Sequence, residues 1–235
     1  MKKIVSIISI FAIILSATQF VLADYSDDTT ITDGQFAYKK GTNNILAYVG
    51  TTGICEIPEN TTLKGLTPSW AKDAAPITKL IINDNVDINM IISGELVNLN
   101  KLKEVEIKEG VTEIPYQFLK GCNNLEKITL PSTIEIIDDE AFSECSKLST
   151  LDLNDGLQSI GRYAFSETTL SGNLNIPDTV THMDVTAFTD CGNLDKVHMS
   201  NNIECEKDKN YCYWFPQTDI KEINIPDTML NCTTV

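Results

Sequence analysis

The chain has 235 residues, 42% of them apolar, with 33 acidic against 18 basic side chains and a net charge of −15. That balance argues against nucleic-acid binding, which needs a basic face, and against docking on anionic membranes. The length suits one elongated domain.

Residues 1–23 have the pattern of a secretory signal. Lys2 and Lys3 give a positive start, Ile4 to Leu15 is apolar apart from Ser6 and Ser9, and Val21-Leu22-Ala23 is a small-x-small cleavage site. Removal would begin the mature chain at Asp24 and take the net charge to −17. Nothing later is apolar over the length a span requires. A secreted or cell-surface protein with no transmembrane segment after signal cleavage is therefore expected.

Residues 24–76 read as a cap and a first irregular rung. Asp33 to Tyr38 and Ile45 to Val49 flank Lys39 to Asn44, which predicts a β-hairpin. Ile54-Cys55-Glu56-Ile57-Pro58 reads as a first strand, and 60–76 as an inserted loop or short helix.

Residues 77–200 carry the dominant pattern, a phrase that returns every 23 residues. Counting from zero at Leu102, Leu125, Leu148, Ser171 and Leu194, offsets 3 and 5 hold pairs such as Val105/Ile107, Ile128/Leu130 and Leu174/Ile176. One polar residue between two apolar ones is strand alternation. Offset 6 is Pro131 or Pro177, where a strand must stop. Offsets 9, 12 and 17 are again apolar, the last being Leu119, Phe142, Phe165 and Phe188. A fixed period of this size means stacked coils, each burying its core against its neighbours. The predicted fold is an α/β solenoid: a parallel sheet built from 23-residue repeats, short helical turns opposite at the Ala-Phe segments, and an N-terminal hairpin cap. Residues 201–235 read as irregular last repeats and a C-terminal cap. They hold a final strand at Ile220 to Pro226, and Tyr211, Tyr213, Trp214 and Phe215 as either a contact site or a hydrophobic plug.

The phrase Leu-x-x-Ile-x-Leu-Pro-x-x-Ile-x-x-Ile-x-x-x-Ala-Phe-x-x-Cys-x-x-Leu, from Leu125 to Leu148, resembles the BspA-like leucine-rich repeat of the Treponema pallidum type. The match covers Leu102 to Leu194 closely and Ile77 to Pro226 more loosely. The resemblance implies a surface or secreted protein, often an adhesin for host matrix or other cells. Fold transfers through such a likeness better than function does.

Seven cysteines leave at least one unpaired within the monomer. Cys122, Cys145 and Cys191 share offset 20, where Thr168 also stands, so that slot needs no sulfur and reads as small buried core. Cys55 is expected to be alone. Cys205 or Cys212 with Cys232 is a candidate disulfide that would pin the C-terminal tail.

Catalytic chemistry is hard to place. No Gly-x-Ser-x-Gly or phosphate loop occurs, and His182 and His198 lie at different offsets without a metal-ligand motif. Neither a cofactor nor a metal is expected. Asp138-Asp139-Glu140 reads as the acidic start of a short helix rather than a calcium or glycosidase site. Asn60-Thr61-Thr62 and Asn231-Cys232-Thr233 are glycosylation sequons.

The remaining candidate is the outward side of the sheet, at offsets 2 and 4. It carries Glu104, Glu106, Lys127, Thr129, Thr150, Asp152, Asn173, Asn175, Lys196 and His198. Solenoids use such faces for recognition. The expected function is non-catalytic binding of an extracellular protein or cell-surface ligand there. A structural or assembly module of a surface complex is the alternative.

Overall fold

The computed structural model describes residues 29–32, 35–39, 41–48, 50, 52–63, 77–89, 96, 99–203 and 214–226. The expected signal segment, the second sequon, Tyr211, Tyr213, and Cys205, Cys212 and Cys232 lie outside the described residues.

The expected hairpin is present as β2 (Phe36–Lys39) and β3 (Asn44–Tyr48), paired antiparallel. Two additions were not legible. Strand β1 (Thr29–Thr32) extends it on one side, and on the other β3 pairs in parallel with β5 (Thr62–Leu63), whose Thr62 bridges to Asp87. The hairpin thus closes the solenoid by pairing with the first coil. Phe36, Ile45, Tyr48 and Leu63 are buried under it, and the Tyr48 hydroxyl donates to the Ile54 carbonyl at 3.1 Å.

The first sheet runs β4 (Ile54–Ile57), β6 (Lys79–Ile82), β7 (Glu104–Ile107) and β9 (Lys127–Thr129), all parallel. Ile54-Cys55-Glu56-Ile57 is therefore the first rung, as its sequence suggested. In β4, β6 and β7 alternate side chains turn inward, so Cys55/Ile57, Leu80/Ile82 and Val105/Ile107 stack in the core. A later sheet runs β12 (Gly172–Asn175), β14 (Asn193–His198) and β15 (Asp219–Asn224).

The expected continuous sheet is interrupted between them. Leu151, Asp152 and Leu153 sit at strand offsets but join no ladder among the described residues. Only the ends of that rung are tied: Ser171 N donates to Ser149 O at 3.0 Å, and Asn154 Nδ2 donates to Pro131 O at 2.9 Å.

A second parallel ladder stitches the coils together: β8 (Glu113–Ile114), β10 (Ile136–Ile137), β11 (Ser159–Ile160) and β13 (His182–Met183). It supplies the inward Ile114, Ile137, Ile160 and Met183 predicted at offset 12.

The expected helical turns are not found. Among the described residues there is no helix, and the Ala-Phe segments are runs of tight turns. Gln117, Glu140 and Tyr163 have φ of 53°, 56° and 53°, and Glu144, Glu167 and Asp190 have φ of 63°, 56° and 52°. Left-handed residues break a helix and cost about 1–2 kcal/mol each. In return they aim backbone donors at the next coil. Phe142 N reaches Ala164 O, and Phe165 N reaches Ala187 O, both at 2.8 Å. A helix would have used those donors within its own turn. The turns also stack the rings of Phe142, Phe165, Phe188 and Phe215, with centroids 5.2–5.4 Å apart.

Candidate functional site

Alternation places offsets 2 and 4 outward on every rung, and the parallel register lines them up in columns. Ile54, Lys79, Glu104 and Lys127 form one column, and Asn173, Lys196 and Glu222 continue it. Glu56, Ile81, Glu106 and Thr129 form the other, continued by Asn175, His198 and Asn224. Eight of the ten candidate residues lie in these outward columns, while Thr150 and Asp152 are exposed on the interrupted rung, outside any ladder.

They are not equivalent. Near the N-terminal end, Lys79 Nζ lies 3.1 Å from Glu104 and 3.4 Å from Glu106, and Glu106 also pairs with Lys108. The hydrogen bond from Lys108 is the main reason the Glu106 carboxyl is held below its usual range. At the other end Lys196 Nζ is 2.5 Å from Glu222, and His198 Nδ1 is 3.1 Å from Asn224 Nδ2. Between these ends, the side chains of Lys127, Thr129, Thr150, Asp152, Asn173 and Asn175 are exposed, with no hydrogen-bond or ion-pair partner among the described residues. This free group straddles the rung where the sheet is interrupted.

The Asp138-Asp139-Glu140 run is a set of ties between turns, not a helix start. Asp138 Oδ1 accepts from Asp139 N at 2.7 Å. Asp139 holds Arg162 through Nε at 2.9 Å and Nη2 at 2.7 Å. Glu140 takes Lys120 at 2.5 Å and Gln117 at 3.0 Å, and the Lys120 hydrogen bond leads the lowering of its pKa. Asp139 and Glu140 are thus committed to neighbouring coils, and Asp138 to its own turn.

The offset-20 slot is a buried donor position. Sγ of Cys145 donates to Leu119 O at 3.3 Å and Sγ of Cys191 to Phe165 O at 3.1 Å, while Thr168 Oγ1 also reaches Phe165 O at 2.9 Å. Cys55, Cys122, Cys145 and Cys191 are buried and form no disulfide. Burial pushes the Cys191 thiol up to about 11 and Cys145 well above its usual value, so neither is a nucleophile at neutral pH. No group of three potential metal ligands occurs among the described residues.

Phe215 is the plug of the two readings, buried and stacked on Phe188, with Trp214 half-buried against the core. Sequence reasoning overlooked an open polar cleft beside the sheet, lined by residues including Glu135, Asp155 and Gln158. Its one signal was Gly156, standing where Thr133 and Thr179 occupy the neighbouring coils. A Cβ at Gly156 would lie 2.7 Å from Ser132 O, so close packing of coils accounts for that glycine.

The coil phrase and its two ladders match a family model described as the BspA type leucine rich repeat region, over residues 47–128, 68–194 and 112–234. The chain belongs to this family. Among solved leucine-rich-repeat structures, the leucine-rich repeat protein of T. pallidum superposes with a TM-score of 0.52 at 19% identity, covering 85% of this chain and 79% of that one. A leucine-rich-repeat protein from Bacteroides ovatus gives 0.49 at 19% identity, covering 87% and 54%, and one from Eubacterium ventriosum gives 0.49 at 21%, covering 72% and 51%. The chain spans about half the length of these last two. Identities this low speak to the fold alone. No curated protein matches the sequence.

Proposed function

We propose that this chain is a secreted or cell-surface interaction module that binds an extracellular protein or cell-surface ligand without catalysis. The contact is the middle of the sheet face: Lys127, Thr129, Thr150, Asp152, Asn173 and Asn175. The observation that carries this reading is the contrast along the face. At both ends charged groups already have partners, and only in the middle are polar side chains exposed and uncommitted. Forming a new contact in the middle breaks nothing, whereas a contact at the ends must first displace an existing ion pair.

The test begins with capture of a partner by the mature chain from host or neighbouring cells. Lys127→Glu with Asp152→Lys should weaken that partner's binding at least about tenfold, roughly 1.4 kcal/mol, with no change in melting temperature. Glu104→Gln with Lys196→Gln should do much less. Equal losses from the two pairs, or none from the first, would remove the central face as the contact. Cell fractionation with mass spectrometry should find the protein outside the cytoplasm with Asp24 at its start; a protein retained in the cytoplasm with residue 1 intact would sink the secretion part.

A further inference from the structure

The first and last described rungs are covered differently. At the N-terminal end the hairpin leaves Cys55, Ile57 and Leu63 with no exposure. At the other end β15 is the edge strand of its sheet, and β14 is its one partner among the described residues. Ile223 and Ile225 stand at the inward offsets 3 and 5, yet they are 37% and 38% exposed. Their counterparts Val197 and Met199, one coil earlier, are 0% and 1% exposed. A six-residue edge with uncovered isoleucines is a template for another strand.

We infer that β15 pairs antiparallel with β15 of a second copy of this chain, about a two-fold axis normal to the sheet. Such an axis keeps the faces of both sheets on one side, so only residues of like parity can oppose each other. That restricts the registers. An axis through Lys221 sets lysine against lysine, and one through Glu222 sets glutamate against glutamate, both unfavourable. An axis through Ile223 sets Lys221 against Ile225. An axis through Asn224 sets Ile223 against Ile225 of the partner copy twice, with the two Asn224 amides facing each other. The last register covers both exposed isoleucines and opposes no like charges, so it is the one assigned.

The pairing has a consequence for recognition. With the two-fold normal to the sheet, the free side chains of both copies point the same way, and a surface bearing repeated ligands would be gripped twice. The dimer itself does not depend on the binding reading and is tested without any ligand.

The mature chain is examined by sedimentation and light scattering across a concentration series. The expected result is a reversible dimer that Ile223→Lys or Ile225→Lys converts to monomer with the melting temperature of the dilute wild type. In parallel, Asn224→Cys should form a link between position 224 of two copies, located by peptide mass spectrometry, whereas Thr129→Cys should not link. A monomer at every concentration overturns the inference, and so does a dimer indifferent to both lysine variants. Absence of the 224–224 link overturns the register. A wild-type monomer that begins to associate once residues 227–235 are removed would show that the chain's own tail covers the rung, which also overturns it.

Discussion

Phe165 is the position where the stacking argument is most exposed to refutation. Its ring is fully buried, with Phe142 5.3 Å away at 15° on one side and Phe188 5.2 Å away at 9° on the other. Truncating a packed phenylalanine to alanine costs about 3–5 kcal/mol in transfer and cavity terms. Each stacked ring pair is worth about 0.5–1.5 kcal/mol beyond burial, and Phe165→Ala breaks two. The expected loss therefore sits at the upper end, about 5 kcal/mol. Phe142 stacks on one ring only, because its counterpart in the coil before is Leu119. Phe142→Ala should be milder by about 1 kcal/mol. Urea denaturation followed by circular dichroism measures both, and the double variant gives the coupling of the pair. A loss at Phe165 below about 1 kcal/mol, or a coupling near zero, would mean the rings do not form a continuous ladder.

Three further outcomes follow from the same coils. Glu140, Glu106 and Asp178 have lowered pKa values, led by hydrogen bonds from Lys120, Lys108 and the Asn201 backbone respectively. Their stabilisation is complete above the ordinary carboxylate pKa and is lost as pH falls through the lower folded values, so melting temperature should hold above about pH 5 and decline below it. Glu140→Gln should flatten that decline, and an unchanged acid limb would discount the Lys120 tie. Gly161→Ala puts a Cβ 2.5 Å from Asp139 N and 2.7 Å from Asp138 C, both backbone, and should cost about 1–3 kcal/mol by calorimetry; a neutral effect would show that the coils separate more easily than their close approach implies. Iodoacetamide labelling read by peptide mapping should leave Cys122, Cys145 and Cys191 unmodified until the protein unfolds, and native labelling at any of them would contradict their burial.

The candidate face was half legible. Offsets 2 and 4 were assigned outward from alternation alone, and the columns Glu104/Lys127 and Asn173/Lys196/Glu222 have that register. What could not be read was occupancy. Lys196 and Lys127 occupy the same offset and each has a glutamate beside it on an adjacent rung, yet Lys196 is paired with Glu222 while Lys127 is free, because Glu104 is already paired with Lys79. The acidic run at Asp138 was misread as a helix start for a related reason: its cationic partners, Lys120 and Arg162, come from neighbouring coils.

By itself the sequence determined the coil. Inward letters repeating every 23 residues dictate which side chains meet, since burial depends on apolar character and spacing, and both are written along the chain. Tertiary structure alone decided where the backbone donors of the turns go, which outward groups find partners, and that β15 is left with open isoleucines. Most of these depend on contacts between residues about one coil apart, whose energies are set by orientation and distance across the stack rather than by the identity of any one residue.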